Sequence, residues 1–188
     1  QQGNDEAKGA VVEFDAHFSG ASDEEKKVTV LVAVDSVHGS LTSPIAKKKG
    51  SGDEYVMQAT LNWIAQLGVP KAEIKCDQEP STVELMNALV ARCKSTVLVP
   101  KASPKGSKGS LGRGERGHLS VQGQLRTLRS ATQGKYGITL DSQHVLMPWL
   151  CRHSSWTIER YQPRWSGHTA YHSMRGKDYT GIVLDFAE

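Results

Sequence analysis

Apolar residues recur along this chain with two different periods, and the switches between them predict its elements. Residues 11–17 alternate as a strand. Gly20 to Lys27 reads as a charged turn. Val28 to Val34 is a continuous apolar run broken only by Thr29, as expected of a strand covered on both faces. His38-Gly39-Ser40 makes a turn, and Leu41 to Ala46 returns as a third strand. Lys47 to Gly52 is an exposed connection. The period then lengthens. Val56, Thr60, Trp63, Ile64 and Leu67 share one helical face, with Gly68 and Pro70 ending the helix. Residues 72–77 form a short strand that finishes at Asp77. Ser81-Thr82-Val83-Glu84 has the capping-box pattern, and Leu85, Met86, Leu89 and Val90 give the following helix an apolar stripe. Ser95 to Val99 is a fifth strand, closed by Pro100.

Residues 101–114 are mostly Lys, Gly and Ser, a composition expected of a mobile loop. A helix is predicted from about Glu115 to Thr132, with His118, Val121, Leu125 and Leu128 on one side and Gly117 and Gly123 against it. A last helix over roughly 142–162 would turn Leu146, Trp149, Leu150, His153 and Trp156 or Thr157 inward, with Pro148 near its start. Trp149, Trp156 and Trp165 read as packing residues. There is no internal repeat. Three antiparallel strands followed by crossovers to parallel ones predict an α/β fold with a mixed five-stranded sheet. Residues 1–9 read as a disordered leader, 10–162 as the core domain, and 163–188 as its aromatic, irregular tail.

Composition narrows the class. A chain of 188 residues, 38% hydrophobic and 23% charged, suits one globular domain. No apolar stretch approaches the length of a membrane span, so no membrane partner is expected. Cys76, Cys93 and Cys151 are odd in number and far apart, which argues for reduced thiols over a disulfide framework or a zinc knuckle. The opening Gln1 to Glu6 has neither an initiator Met nor a signal-peptide pattern, as expected of a piece of a longer protein.

The net charge of +3 conceals a split. Residues 1–100 carry 10 Lys/Arg against 14 Asp/Glu, net −4, and residues 101–188 carry 13 against 6, net +7. Lys101, Lys105, Lys108, Arg113, Arg116, Arg126, Arg129 and Lys135 surround a single acid, Glu115. Such a stretch suits a phosphate backbone, although a solvated loop is the plainer reading. Lys101, Lys105, Lys108, Arg113, Arg116 and Arg126 are the candidate nucleic-acid contacts.

Three acids stand where catalytic chemistry could use them. Asp15 lies in the first strand, Asp77 ends the fourth, and Glu115 opens a helix. Carboxylates on rigid elements can share divalent ions. Each also has an ordinary reading: a solvent-facing strand acid, a turn residue before Pro80, and a helix-start acid that complements the dipole. Asp35, which ends the strongest strand, competes with Asp15 for the first place. The histidines are too scattered for a zinc site.

These segments together resemble the catalytic core of integrases from retroviruses and long-terminal-repeat retrotransposons. Asp77 and Glu115 are separated by 37 residues, and Asp15 and Asp77 by 61. Val28 to Gly39 resembles that family's second strand and turn, and Ile74 to Glu79 its strand and Asp-Asn-Gly segment, here with Gln78-Glu79 after the Asp. Gly112 to Arg116, followed by Gln124 to Leu128, resembles its Asn-Gly-x-x-Glu-Arg helix start, and Gly167 to Tyr171 its Gly-x-Thr-x-Tyr turn. The likeness spans most of residues 10–180 and implies an RNase H-like fold. These 188 residues hold no His/His/Cys/Cys module ahead of the core, as expected of a chain that starts after it.

The resemblance implies a Mg²⁺- or Mn²⁺-dependent polynucleotidyl transferase with two ions. Asp15 would bridge both ions, and Asp77 and Glu115 would each hold one. It further implies DNA end processing and strand transfer, element ends and target DNA as partners, a possible homodimer, and an intracellular, nuclear place of action. Two alternatives stay open. One is a non-catalytic derivative that only binds nucleic acid. The other is an RNase H-type nuclease, which would want a fourth acid such as Asp178 or Asp185.

Overall fold

The computed structural model describes residues 9–19, 28–47, 49–102, 111–182 and 186. The charged turn at 20–27, Lys48, most of the Lys/Gly/Ser segment and most of the expected leader lie outside the described residues, as does Asp185.

The strands are β1 (Ala10–Ser19), β2 (Val28–Asp35), β3 (Leu41–Thr42), β4 (Ile45–Ala46), β5 (Lys71–Cys76) and β6 (Val97–Ala102). They form one mixed six-stranded sheet in the order β3-β2-β1-β5-β6, with β4 also on β2. β1 runs antiparallel to β2 and parallel to β5, and β5 runs parallel to β6. The expected third strand is split, because Ser43 and Pro44 interrupt the pairing between Leu41–Thr42 and Ile45–Ala46. Five predicted strands thus become six, with the mixed topology unchanged.

Among the described residues the helices are α1 (Glu54–Gln66), α2 (Pro80–Arg92), α3 (Gly112–Tyr136), α4 (Met147–Tyr161) and α5 (Ala170–Arg175). One face is closed by α1 and α2, where Val12, Phe14, Ile74 and Cys76 meet Met57, Ile64, Leu85 and Leu89. The other is closed by α3 and α4, where Val30, Val32 and Val34 meet Val121, Leu125, Leu150 and Cys151. β2 therefore buries side chains on both faces, which accounts for its unbroken apolar run.

Several local expectations are corrected. Ser81 is not the cap of α2. The N-cap is Glu79, without a side-chain cap bond, and Pro80 occupies the first turn. Ser81 Oγ instead donates to Glu79 Oε1, while Glu84 binds Ser51. Trp149 is 70% exposed and Trp165 94% exposed, so neither is a packing residue. The buried stripe of α4 is Met147, Leu150, Cys151, Ser154 and Ser155. A helical turn, α5, stands within the tail expected to be irregular. It is capped by Thr169 Oγ1, which accepts from the His172 N–H.

Candidate active site

The site is built on the two central strands. β1 and β5 pair through Val12↔Ile74 and Glu13↔Lys75. Continuing that register by two residues brings Asp15 level with Asp77, one position past the end of β5. Neighbouring strands lie ~4.8 Å apart. Val12 and Phe14, with Ile74 and Cys76, belong to the α1/α2 face. Alternation therefore turns Glu13 and Asp15 to the opposite face, where α3 lies. The same alternation assigns Asp77 to that side. The two aspartates are thus neighbours, although 61 residues separate them.

The first turn of α3 rests directly on this spot. A Cβ built on Gly114 would lie 3.8 Å from Glu13 Cβ and 4.0 Å from Asp15 Cβ. Glu115 follows at once and is exposed. The residue before Glu115 therefore rests beside Asp15. The side chains of the three predicted acids do not close into a ligand cage: among the described residues, no three His, Cys, Asp or Glu side chains form a group able to hold a metal ion. Asp77 Oδ1 accepts from the Glu79 N–H at 3.4 Å. Hard carboxylate oxygens, one within β1 and one just past the end of β5, do suit Mg²⁺ or Mn²⁺, which bind through few protein oxygens and keep waters.

Asp35 has other work. Its Oδ1 accepts from the Val37 and His38 N–H groups and its Oδ2 from the Ser40 N–H, each at 2.8 Å. It is 2% exposed and pairs with Val12, three residues upstream of Asp15 on β1. That carboxylate shapes the β2–β3 turn. Asp178, the described candidate for a fourth acid, binds His172 Nδ1 at 2.7 Å. Cys76, beside Asp77, has its thiol pushed up to about 11 by burial and then by the Asp77 charge, so it stays protonated at neutral pH.

The basic candidates divide. Lys105 and Lys108 lie outside the described residues. Lys101 Nζ is held by Glu73 at 3.0 Å, and that contact first of all lowers the Glu73 pKa. On α3, Glu115, Gln122 and Arg126 fall on one flank, and the Arg126 guanidinium donates to Gln122. Arg113 and Arg116 fall on the other. There they line a groove of ≈ 840 Å³ with Arg164, between α3, the β2–β3 turn and the segment after α4.

Glu13 was passed over in the sequence, where it reads as one more alternating strand residue. It is 3% exposed, and its Oε2 accepts from the backbone N–H groups of Arg113 at 3.0 Å and Gly114 at 3.1 Å. Its Oε1 meets Arg113 Nη1 at 3.3 Å. The one available signal was its place in an otherwise apolar central strand.

No family model matches the sequence, and no curated protein matches it. Its backbone is similar to retroviral integrase catalytic cores. It superposes on the HTLV-2 integrase catalytic core domain in complex with magnesium with a TM-score of 0.61 at 18% identity, covering 87% of this chain and 94% of that one. Against the catalytic core domain of BIV integrase the TM-score is 0.58 at 16% identity, with 86% and 91% covered. Against a simian T-cell lymphotropic virus intasome in complex with PP2A regulatory subunit B56 gamma it is 0.64 at 18% identity. There 95% of this chain is matched, and it spans 58% of that chain. The fold is the RNase H-like fold of the integrase core.

Proposed function

We propose that this chain is the catalytic core of an integrase-type polynucleotidyl transferase, which processes DNA ends and joins them to a second duplex, and that it derives from a retrotransposon polyprotein. One observation supports the reading: β1 and β5 are parallel neighbours in a register that, continued two residues beyond Glu13↔Lys75, sets Asp15 level with Asp77, and Gly114, next to Glu115, rests against Asp15. Asp15, Asp77 and Glu115 would hold two divalent ions, Mg²⁺ or Mn²⁺. The chemistry that ions held there would supply is activation of the attacking hydroxyl or water and stabilisation of the leaving oxygen.

The chain's own residues supply placement and charge. The middle of β1 carries Asp15 and the end of β5 leads to Asp77, while a helix start brings the glutamate with a partial positive charge behind it. Arg116 and Arg126, exposed on opposite flanks of α3, are suited to phosphates, as are Lys105 and Lys108 on the approach to that helix. Element ends and target DNA are the proposed partners, with pairing of two copies and action in the nucleus as parts of the same reading.

A second reading is favoured by the lack of a three-ligand group among the described residues. In it the chain binds nucleic acid without cutting. Purified protein with Mg²⁺ or Mn²⁺ and a DNA duplex carrying element-end sequence separates the two. Nicking or joining that disappears in Asp77→Asn supports the transferase. Cutting that survives Asp77→Asn ends the acid-site reading, and DNA binding without any cutting supports the second.

A further inference from the structure

We infer that Glu13 is a positioning residue, which docks the first turn of α3 onto β1 and thereby sets where Glu115 stands relative to Asp15 and Asp77. The inference deepens the proposed acid site and rests on it for its significance, but the docking is a property of the fold itself.

The helix needs this contact. Its N-cap is Leu111, which offers no side-chain acceptor, so the first amides of α3 lack a local cap. Glu13, 100 residues away in sequence, supplies the acceptor for Arg113 N–H and Gly114 N–H. The need is mutual. β1 is paired on both sides, and a carboxylate buried at the middle of a sheet is expensive unless compensated. Two helix-terminal amides, the positive end of the helix and the Arg113 guanidinium provide that compensation.

The geometry ties the contact to the acids. Glu13 precedes Asp15 by two residues and shares its strand face, while Gly114 immediately precedes Glu115. Gly114 carries no side chain to hold the turn off the sheet, and the space a Cβ would take is bounded by Glu13 and Asp15. One contact thus fixes the spacing between the element that carries Asp15 and the element that carries Glu115. Asp15 and Asp77 differ in this respect, because the strands that lead to them, β1 and β5, are themselves paired up to Glu13↔Lys75.

The test uses the full chain with Glu13→Gln and Glu13→Ala, read by amide hydrogen exchange and by Mn²⁺ titration. Glu13→Ala is expected to speed exchange at Arg113 and Gly114 by about tenfold or more, with Val30 to Val34 still protected, and to weaken Mn²⁺ binding about 10–100-fold. Glu13→Gln, which keeps an acceptor oxygen, is expected to recover most of both. Unchanged exchange at those two amides in Glu13→Ala would overturn the inference. So would equal loss of Mn²⁺ binding in both variants with the amides still protected, since Glu13 would then be acting on the ion itself. Failure of the wild-type chain to bind Mn²⁺ would instead overturn the acid-site reading, leaving the exchange result to decide the docking.

Discussion

At the scale of single residues, two glycines of α3 that look alike in sequence have opposite physical meanings. A Cβ on Gly117 would stand 2.4 Å from Val34 Cγ2, whereas one on Gly123 would meet nothing within 4 Å. Gly117 is the close-approach point of the helix to β2. Gly123 is a mid-helix glycine, with the usual entropic cost. Gly117→Ala is therefore expected to destabilise the protein by about 1–3 kcal/mol through overpacking. Gly123→Ala is expected to stabilise it by about 0.5–1 kcal/mol. Urea unfolding of the two variants checks both signs. Equal effects would show that α3 does not pack on β2 through Gly117. In the sequence both residues counted against a helix, because propensity sees the backbone cost and not the neighbour.

At the scale of elements, the turn between β2 and β3 is a junction. Ser40 Oγ accepts from Trp63 Nε1 of α1 at 3.0 Å and donates to Glu159 Oε2 of α4 at 2.6 Å. The same turn receives the Arg164 guanidinium, which donates to the Val37 and His38 carbonyls and lies against Gly39. Gly39 has φ 70°, and its missing Cβ leaves the space that the guanidinium fills. Helices on opposite faces of the sheet are thus joined through one hydroxyl. Ser40→Ala is expected to cost about 1–3 kcal/mol, because Trp63 and Glu159 each lose a buried partner. A thermal or denaturant midpoint unchanged by that substitution would contradict the coupling. Sequence placed the turn correctly but could not show this role, since Ser40, Trp63 and Glu159 are far apart along the chain.

At the scale of the molecule, two cores lie on the two sheet faces, and the α3/α4 side carries a titratable group. His153 stacks on Trp156 at 5.2 Å between ring centroids and meets Phe186 at 5.3 Å. Burial holds its pKa below the ordinary 6.5. In the unfolded chain the imidazole takes up its proton near 6.5, while the folded chain resists it. Stability is therefore full above about pH 6.5 and falls as pH drops toward the folded value. Chemical unfolding at pH 7.5 and 5.5 should show the loss, and His153→Phe, which cannot titrate, should reduce it. A loss of the same size in that variant would assign it to other groups.

The α1 stripe, from Val56 through Thr60, Trp63 and Ile64 to Leu67, is buried as its spacing required. The apolar run of β2 is covered on both faces, and the order of strands and helices follows the change of period. These features depend on which residues must leave water, and that is written locally. Trp149 and Trp165 were misread because bulk and aromaticity do not say which side of a helix or loop finds a neighbour. The placing of Asp15 and Asp77 on adjoining strands needed the β1–β5 register, and the assignment of Asp35 to a turn needed its three amide partners. The docking of α3 by Glu13 needed a contact across 100 residues. Local pattern determined the elements and their buried faces, whereas only the assembled sheet decided which charges became neighbours, because long-range pairing follows from register and packing and not from any property of the residues taken one segment at a time.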